Sequence, residues 1–450
     1  GFWEELSAEL VRYPVDRLAY ERLVDDGYLV SRERSGYFVN PEIRAGTVEV
    51  KPTGAPQTGQ HRPDWQGRFK LRPGERRNIE KPRDWQDYPY PFIYGQISSD
   101  LFPLNNWREC VRDAVSVRAV QHWSVDRLDD DDPLLIEQIH SRLLPRRGIW
   151  AEPEQILLTV GAQHALYMLF QLLTDEGSTL GLENPGYVDA RNIASLSPAR
   201  VKPLPVAGEG LVLDEALDDC GLIYVTPSHQ SPTTVTMPLE NRYRLLEKAA
   251  ERDILLIEDD YESELNYQSN PLPALKSLDV NDRVVYVGSL SKTIAPGLRM
   301  GYLVAPRELI DELRALRRLM LRHPAANNQH SLALFLARGY HDSLVRNLLA
   351  SYRERHEVIS TALEKHLPDR FHTQGFGGSS FWVRGPEELD ARELARRAAQ
   401  AGIIIEPGDI FFQQRNPPLH YFRLGFSAIH AHKIEPGIAR LTELLAPQGA

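Results

Sequence analysis

A single lysine, Lys292, lies between two hydroxyl side chains in the stretch SLSKTIAPGLRMGYLV, residues 289–304. Ser289 and Ser291 flank it, and Arg299 follows seven residues later. Hydroxyl groups and an arginine are donors that hold a phosphate group, and arginine binds phosphate as a two-pronged fork. A lysine forms an imine when its amine is unprotonated, and burial near cations favours that state. An ordinary exposed lysine is the alternative for Lys292.

A second phosphate-binding element is predicted at the start of the stretch GAQHALYMLFQLL. This stretch follows the apolar run QILLTV, so a helix is expected to begin directly after a strand. The backbone N–H groups of Gly161, Ala162 and Gln163 would then point toward an anion at the helix N-terminus. Any strand-to-helix turn has this appearance, so the prediction depends on its combination with Lys292 and Arg299.

A phosphate cradle beside an imine-forming lysine indicates pyridoxal 5'-phosphate. This cofactor needs an anionic partner for its ring nitrogen, and LLIEDDYESEL provides Asp259 at the end of a predicted strand. Tyr261 is close enough along the chain to reach the ring hydroxyl, and Tyr187 of ENPGY can stack on the pyridine. A solvated acidic loop is the alternative for EDDY. Four such motifs in one chain, each after an apolar strand, favour the cofactor site.

The elements that must position these residues alternate from residue 91 onward. The runs QILLTV, GLIYVTP, ILLIEDD and RVVYVGSLSK are typical of buried strands, and MPLENRYRLLEKAAER is typical of an amphipathic helix. This alternation predicts an α/β domain with a mainly parallel sheet. Its sites should lie at the carboxyl ends of the strands, where each candidate residue is found.

Residues 1–45 are predicted to form a separate module, a partial winged helix-turn-helix. ELSAEL and VDRLAYERLVDDG have helical spacing, and YLVSRERSGYFVN indicates two short strands around a basic turn. Its candidate contacts to DNA phosphates are the arginines Arg12, Arg17, Arg32 and Arg34. A solvated basic turn is the alternative for each of them. Residues 46–90, rich in Pro, Gly and charge, are predicted to be a linker that docks on the next domain at points.

Composition limits the class of protein. The chain has 450 residues, of which 42% are hydrophobic and 25% are charged, as in a soluble globular protein of two or three domains. Cys110 and Cys220 are too few for a disulfide framework, which predicts a reducing cytoplasm. No apolar run reaches bilayer length. The net charge of −10 opposes nonspecific nucleic-acid binding by the whole molecule but is compatible with a small DNA-binding module.

Residues 90–450 resemble the fold-type I aminotransferase domain. The motifs SLSKTIAPGLRMGYL, EDDYESEL, TPSHQSPT and GAQHAL are similar to those of MocR/GabR-type bacterial regulators. In that family a GntR-type winged helix precedes the aminotransferase-like domain, and AYERLVDDGYLVSRERSGYFV resembles it. The resemblance implies large and small fold-type I domains with pyridoxal phosphate bound at Lys292. It also implies the roles given above for Asp259, Tyr261 and Arg299.

The resemblance extends to a ligand-binding arginine and to a dimer. It implies that Arg423 of HYFRLGFS binds the carboxylate of a substrate or effector; a structural arginine in a strand is the alternative. SHQ of the family is retained at residues 228–230, which makes Gln230 a candidate cofactor contact, although which of these side chains reaches the ring hydroxyl is open. The family forms head-to-tail homodimers. The tyrosine by which related enzymes reach the partner's phosphate falls near Asp126 in VDRLDDDDPLL.

Two functions of different class fit these features. The first is a transcriptional regulator that binds operator DNA and senses an amino compound, which displaces Lys292 and forms an external aldimine. The second is a catalytic aminotransferase acting on an amino acid, in which Lys292 moves the proton. A basic wing and a long linker favour the regulator, because an aminotransferase has no need of them. An enzyme with a vestigial DNA-binding domain is a third alternative, favoured by the partial helix-turn-helix.

Overall fold

The computed structural model describes residues 17–32, 36–41, 62–267, 272–375 and 377–445. The chain divides into two compact units, residues 1–70 and residues 71–450. Arg12 and Arg34, two of the predicted DNA contacts, lie outside the described residues.

The first unit contains the predicted helix and hairpin. Helix α1 (Arg17–Asp25) is followed by strands β1 (Leu29–Arg32) and β2 (Gly36–Val39), which pair antiparallel. Tyr20 of the helix stacks on Tyr37 of the hairpin with ring centroids 4.9 Å apart. The guanidinium of Arg32 lies 5.1 Å from the centre of the Phe38 ring, at the end of the hairpin. A helix packed on a two-stranded wing is the part of the predicted module that the structure describes.

The second unit is built on a large mixed sheet and a smaller antiparallel sheet. In chain order its strands are β3 (Tyr90–Pro91), β4 (Ile156–Thr159), β5 (Thr179–Asn184), β6 (Arg200–Ala207), β7 (Gly210–Leu211), β8 (Leu222–Val225), β9 (Leu255–Asp260), β10 (Val284–Ser289), β11 (Gly301–Val304), β12 (His372–Gln374), β13 (Ser380–Arg384), β14 (Ile403–Ile404), β15 (Glu406–Pro407) and β16 (Tyr421–Gly425).

Helices cover both sheets. A short helix of the first unit and those of the second are, in chain order, α2 (Trp65–Arg68), α3 (Leu104–Ala114), α4 (Val117–Trp123), α5 (Pro133–Gln138), α6 (Gly161–Leu173), α7 (Val188–Ala194), α8 (Leu239–Glu251), α9 (Leu275–Leu278), α10 (Arg307–Leu321), α11 (Ala326–Ala337), α12 (Tyr340–His366), α13 (Ala391–Gln400) and α14 (Ala431–Glu443). None of the helices in the described ranges combines the length and apolar composition that a bilayer crossing requires.

The large sheet has the strand order β4-β11-β10-β9-β8-β5-β6-β7. Only β11 and β7 run antiparallel to their neighbours, which confirms the predicted mainly parallel sheet. The smaller sheet has the order β12-β13-β16-β15 and is antiparallel. Because β4, β5, β9 and β10 point the same way, the residues that follow them meet at one edge.

The second half of the predicted linker packs on this unit. Ile79 packs against a cluster that includes Val188 and Trp382, and Trp85 packs against Ile93 and Ile404. Burial of these side chains removes apolar surface from water, which stabilises the contact between the segment and the domain. Ile79 and Trp85 thus attach the second half of the predicted linker to the second unit.

A buried ion pair holds the carboxyl end of β9. Arg147 donates from Nε to Oδ2 of Asp260 at 2.7 Å, and Tyr286 donates its hydroxyl to the same oxygen at 2.9 Å. The other guanidinium nitrogens of Arg147 donate to the Leu272 carbonyl and to Oγ of Ser228, both at 3.0 Å. One side chain thus connects the strand end to two neighbouring loops.

Replacement of Arg147 should destabilise the second unit strongly. Arg147→Met leaves the Asp260 carboxylate buried without its counter-ion, so we expect the free energy of unfolding to fall by about 3–5 kcal/mol. Urea unfolding followed by circular dichroism measures the change. Arg307→Met is the matched control, because the Arg307–Asp311 pair is exposed and should contribute no more than about 1 kcal/mol. Equal changes in the two variants would contradict the role given to Arg147.

Candidate cofactor site

A cavity of about 340 Å³ lies at the carboxyl ends of these strands. This volume falls within the roughly 300–1,000 Å³ typical of small-molecule and cofactor sites. Most of the residues that the sequence nominated line it: Gly161, Ala162, Gln163, Tyr187, Asp259, Tyr261, Ser289, Ser291, Lys292, Arg299 and Arg423. The structure therefore brings together side chains that are up to 262 positions apart in sequence, from Gly161 to Arg423.

Lys292 lies just after β10, with its amine 4.6 Å from the centre of the Tyr94 ring. Burial lowers the pKa of this amine to about 8, and the nearby cations Lys81 and Arg423 add to the effect. The carboxylates Glu262 and Asp259 oppose it, but burial is the largest influence. A lysine in this state offers an unprotonated amine near neutral pH, as imine formation requires.

Asp259, the penultimate residue of β9, has one carboxylate oxygen in a hydrogen bond and the other without one among the described residues. The Tyr224 hydroxyl donates to Oδ2 at 2.8 Å, whereas Oδ1 is buried and has no hydrogen-bond partner among the residues that the structure describes. Burial raises the pKa of this carboxyl to about 7. A positively charged N–H placed against Oδ1 would satisfy the oxygen and stabilise the ionised carboxylate.

The phosphate end of the cavity is formed by α6 and Arg299. The first backbone N–H groups of α6 have no partner within the helix, and within the described ranges no side chain caps them. Gly161 has φ of +75°, and a Cβ there would lie 3.0 Å from Nη2 of Arg299. Only glycine therefore lets the arginine lie this close to the helix N-terminus. Arg299 also donates to Oε1 of Gln163 at 3.3 Å.

The two serines beside Lys292 are bonded differently. The Ser291 hydroxyl accepts a hydrogen bond from the Met300 amide at 3.0 Å and donates one to the Met300 carbonyl at 3.3 Å. Its hydrogen-bonding capacity is therefore used within the fold. Ser289 keeps its hydroxyl without a side-chain hydrogen bond among the described residues. Ser289 is therefore the better phosphate donor of the two.

Tyr187 and Tyr261 flank the cavity as expected, whereas Gln230 lies outside its lining. Tyr261 donates its hydroxyl to the His229 carbonyl at 2.9 Å, and burial raises its pKa so that the hydroxyl keeps its proton. The Gln230 amide donates to the carbonyl of Pro185 at 2.9 Å, and its oxygen accepts from the Thr233 hydroxyl at 2.6 Å. The prediction for Gln230 is thus corrected to that of a buried residue that holds its own loop.

Several lining residues were not nominated from the sequence. Tyr94 lies over both Lys292 and Arg423, and the adjacent Gly95 has φ of +76° with Lys292 Nζ 3.1 Å from where a Cβ would be. The predicted linker supplies part of the lining, namely Asn78, Ile79 and Lys81. Ser231 lies in the cavity next to Gln230. In the sequence, the feature that could have indicated Tyr94 is its position directly before a glycine in YPFIYGQ. The linker residues Asn78, Ile79 and Lys81 have no comparable local pattern.

Carboxylates of the acidic stretch near Asp126 form ion pairs with arginines of the same chain. Asp126 pairs with Arg322, and Asp131 accepts from Arg317 at 2.6 Å and from Arg314 at 3.3 Å. Arg317 is completely buried, so its ion pair is part of the packing of α10. Asp126 and Asp131 are thus both paired with arginines of the same chain.

The pH dependence of cofactor capture should reveal the state of Lys292. Only the unprotonated amine attacks an aldehyde, so the rate should rise with pH and level off above the pKa of about 8. The rate is measured by mixing cofactor-free protein with pyridoxal phosphate and following the visible absorbance band. Lys292→Ala is the control and should show no protein-bound band. A wild-type rate still rising tenfold per unit near pH 10 would contradict the low pKa.

The residues of the cavity fit pyridoxal phosphate. The unsatisfied Oδ1 of Asp259 matches a protonated ring nitrogen, and the uncapped helix with Arg299 matches a phosphate. Lys292 lines the same cavity, and burial lowers the pKa of its amine.

Comparison with known proteins agrees with this geometry. The family described as Aminotransferase class I and II matches residues 129–441. The HTH-type transcriptional regulator TauR of Rhodobacter capsulatus is 42% identical over 431 residues, which are 95% of this chain and 88% of that protein. The probable rhizopine catabolism regulatory protein MocR of Rhizobium meliloti is 31% identical over 434 residues, which are 94% of this chain and 84% of that protein.

A solved structure gives the same fold with a bound cofactor derivative. LysN, an alpha-aminoadipate aminotransferase from Thermus thermophilus complexed with N-(5'-phosphopyridoxyl)-L-leucine, has a TM-score of 0.76 and 28% identity. The match covers 85% of this chain and 98% of that one. The fold and the site together give pyridoxal phosphate as the cofactor. The chain therefore belongs to the aminotransferase class I and II family and, within it, to the MocR-type transcriptional regulators that carry such a domain.

Proposed function

We propose that this protein binds operator DNA through its N-terminal winged helix and senses an amino compound in its cofactor site. The observation that carries the proposal is that a helix and hairpin precede, in one chain, a cavity lined by the residues predicted to bind the cofactor. Full-length similarity to regulators such as TauR and MocR supports it, because both halves of the chain are covered.

Each group in the cavity has a definite task in ligand sensing. When bound, pyridoxal phosphate supplies an aldehyde carbon that exchanges one primary amine for another. Lys292 is the residue that would hold this carbon in the absence of ligand and would give up that position to a ligand amine. Asp259 keeps a proton on the ring nitrogen, and Arg299 with the N-terminus of α6 anchors the phosphate. Arg423 orients the ligand through its acid group.

A catalytic aminotransferase is the second candidate. It is favoured by the full set of groups, since Lys292 with a pKa of about 8 could act as a proton carrier as well as a cofactor anchor. The N-terminal unit argues against this function as the main one, because a transaminase does not need a basic hairpin.

We further propose that the protein acts in the cytoplasm as a head-to-tail homodimer. The family resemblance supports the dimer. Cys110 and Cys220 are both buried and unpaired, which is compatible with a reducing compartment.

Binding to the DNA upstream of the protein's own gene tests the function. Affinity is measured at fixed salt with and without pyridoxal phosphate and a panel of amino acids. Specific binding that changes with one amino compound is expected. If the DNA is not bound while an amino acid is converted to a keto acid, the protein is an aminotransferase.

Removal of Arg32 should weaken DNA binding in a salt-dependent way. Arg32→Ala removes one cation that can contact a phosphate, so the slope of log affinity against log salt should fall by about 1. The loss should be similar for different DNA sequences, since a phosphate contact carries little sequence information. Arg396→Ala, on an exposed helix of the second unit, is the control and should leave the slope unchanged. An unaltered slope in Arg32→Ala would exclude Arg32 from the interface.

Replacement of Asp259 should weaken cofactor binding. Asp259→Asn keeps the shape but removes the charge that pairs with the ring nitrogen, a contact worth about 1.5–3 kcal/mol. The dissociation constant for pyridoxal phosphate should therefore rise about tenfold to a hundredfold, as measured by equilibrium dialysis. Asp253→Asn, at a carboxylate that is 93% exposed, should bind like wild type. Equal affinity in Asp259→Asn and wild type would refute the assignment.

A further inference from the structure

Two cations, Lys81 and Arg423, meet on one buried carboxylate at the edge of the cofactor cavity. Glu406 is 3% exposed, and its Oε2 accepts from Nε and Nη2 of Arg423 at 2.7 and 2.6 Å. Its Oε1 lies 3.5 Å from Nζ of Lys81 and accepts from the Tyr94 amide at 3.4 Å. Arg423 and Glu406 face each other on the paired strands β15 and β16. Both cations line the cavity.

The Arg423 guanidinium is held on three sides. The centre of the Tyr94 ring lies 3.9 Å from its Cζ and that of the Phe411 ring lies 4.7 Å from it. Glu406 occupies the edge formed by Nε and Nη2. Nη1 has no hydrogen-bond partner in the described part of the chain, and it belongs to a residue that lines the cavity. The arginine is therefore fixed in orientation while one of its edges remains available to a ligand.

Lys81 is held in place by its own segment. The Lys81 amine donates to the Tyr94 carbonyl, and the segment before it is anchored on α7 and on the loop after β15. Asn192 donates to the Arg77 carbonyl at 3.0 Å, and Arg77 pairs with Asp409 at 2.6 Å. Lys81 therefore approaches the cavity from a segment with several fixed points.

We propose that Lys81 and Arg423 together bind the acid group of the effector, with Glu406 as the buried counter-ion that positions both. This inference rests on the proposed sensing function and assigns the residues that select its ligand. Two cations against one carboxylate leave a single positive charge, which one ionised acid group neutralises. The ligand class is thus a primary amine that also carries a singly charged acid.

The test compares amines with and without an acid group. Cofactor-loaded protein is titrated with glycine, 3-aminopropanoate, 4-aminobutanoate, 5-aminopentanoate and n-butylamine, and binding is followed by the visible absorbance band of the cofactor. At least one amino acid should half-saturate the protein at a concentration tenfold or more below that of n-butylamine. Lys81→Met should raise this concentration about tenfold for the amino acid, as expected for one lost charge-assisted contact. Because Lys81 also lowers the pKa of Lys292, which exchanges with every amine, the decisive quantity is the ratio of the amino acid's half-saturating concentration to that of n-butylamine, which should rise about tenfold in this variant.

Two further variants separate charge from packing. Lys81→Arg keeps the cation and should recover most of the affinity, and Lys365→Met removes a lysine on the outer face of α12 and should behave like wild type. An unchanged half-saturation in Lys81→Met, or an equal loss for n-butylamine, would overturn the proposal. A wild-type protein that binds n-butylamine as tightly as every amino acid would overturn it too. Failure of the proposed function looks different, because amino acids would then bind selectively without changing DNA affinity.

Discussion

Three consecutive carboxylates at the end of β9 impose the strongest constraint on this fold. Glu258, Asp259 and Asp260 are all at most 3% exposed, and buried carboxylates are tolerated only when they are paired. Glu258 accepts from the backbone amides of Leu275 and Lys276, both at 2.8 Å. The Arg147 guanidinium pairs with Oδ2 of Asp260 and lowers the pKa of this carboxyl, while Oδ1 of Asp260 has no hydrogen-bond partner among the described residues. The first carboxylate thus has two amide donors and the third has a counter-ion within the described residues, whereas Asp259 has neither.

The middle carboxylate follows from the alternation of a strand. Successive side chains point to opposite faces, so Asp259 emerges on the face opposite to its two neighbours. There Tyr224 supplies one hydrogen bond, and Oδ1 has no partner in the part of the chain that the structure describes. A protonated ring nitrogen of the cofactor placed against Oδ1 would offset the cost of burying this oxygen. Part of the cofactor affinity would then come from satisfying a buried oxygen that the strand sequence leaves without a partner among the described residues.

The sequence allowed the cofactor groups to be predicted because each lies within a few residues of a strand end. The motifs SLSK, EDDY and GAQ each follow a strand that can be recognised in the sequence. Because a parallel sheet brings the carboxyl ends of its strands together, the proximity of these motifs could be predicted. Lys81, Tyr94 and Glu406 are different, because they approach from segments whose local pattern is not that of a site. Lys81 belongs to the predicted linker, whose sequence gives no indication of a site. It reaches the cavity because Ile79 and Trp85, on either side of it, pack on the second unit. Gln230 shows the reverse case, in which a motif side chain is used by its own loop.

The linker segment also bears on how sensing could reach DNA. A ligand changes DNA affinity only as far as it binds two arrangements of the protein differently. A ligand acid group on Lys81 would compete with the Tyr94 carbonyl and with Glu406 for the same amine. Any resulting displacement of Lys81 would occur in a segment that is continuous along the chain with residue 70, where the N-terminal unit ends. Arg299 and Asp259 are proposed to hold the cofactor whether or not a ligand is present, so the contacts that differ between the two states would lie at Lys292 and at the acid end of the cavity.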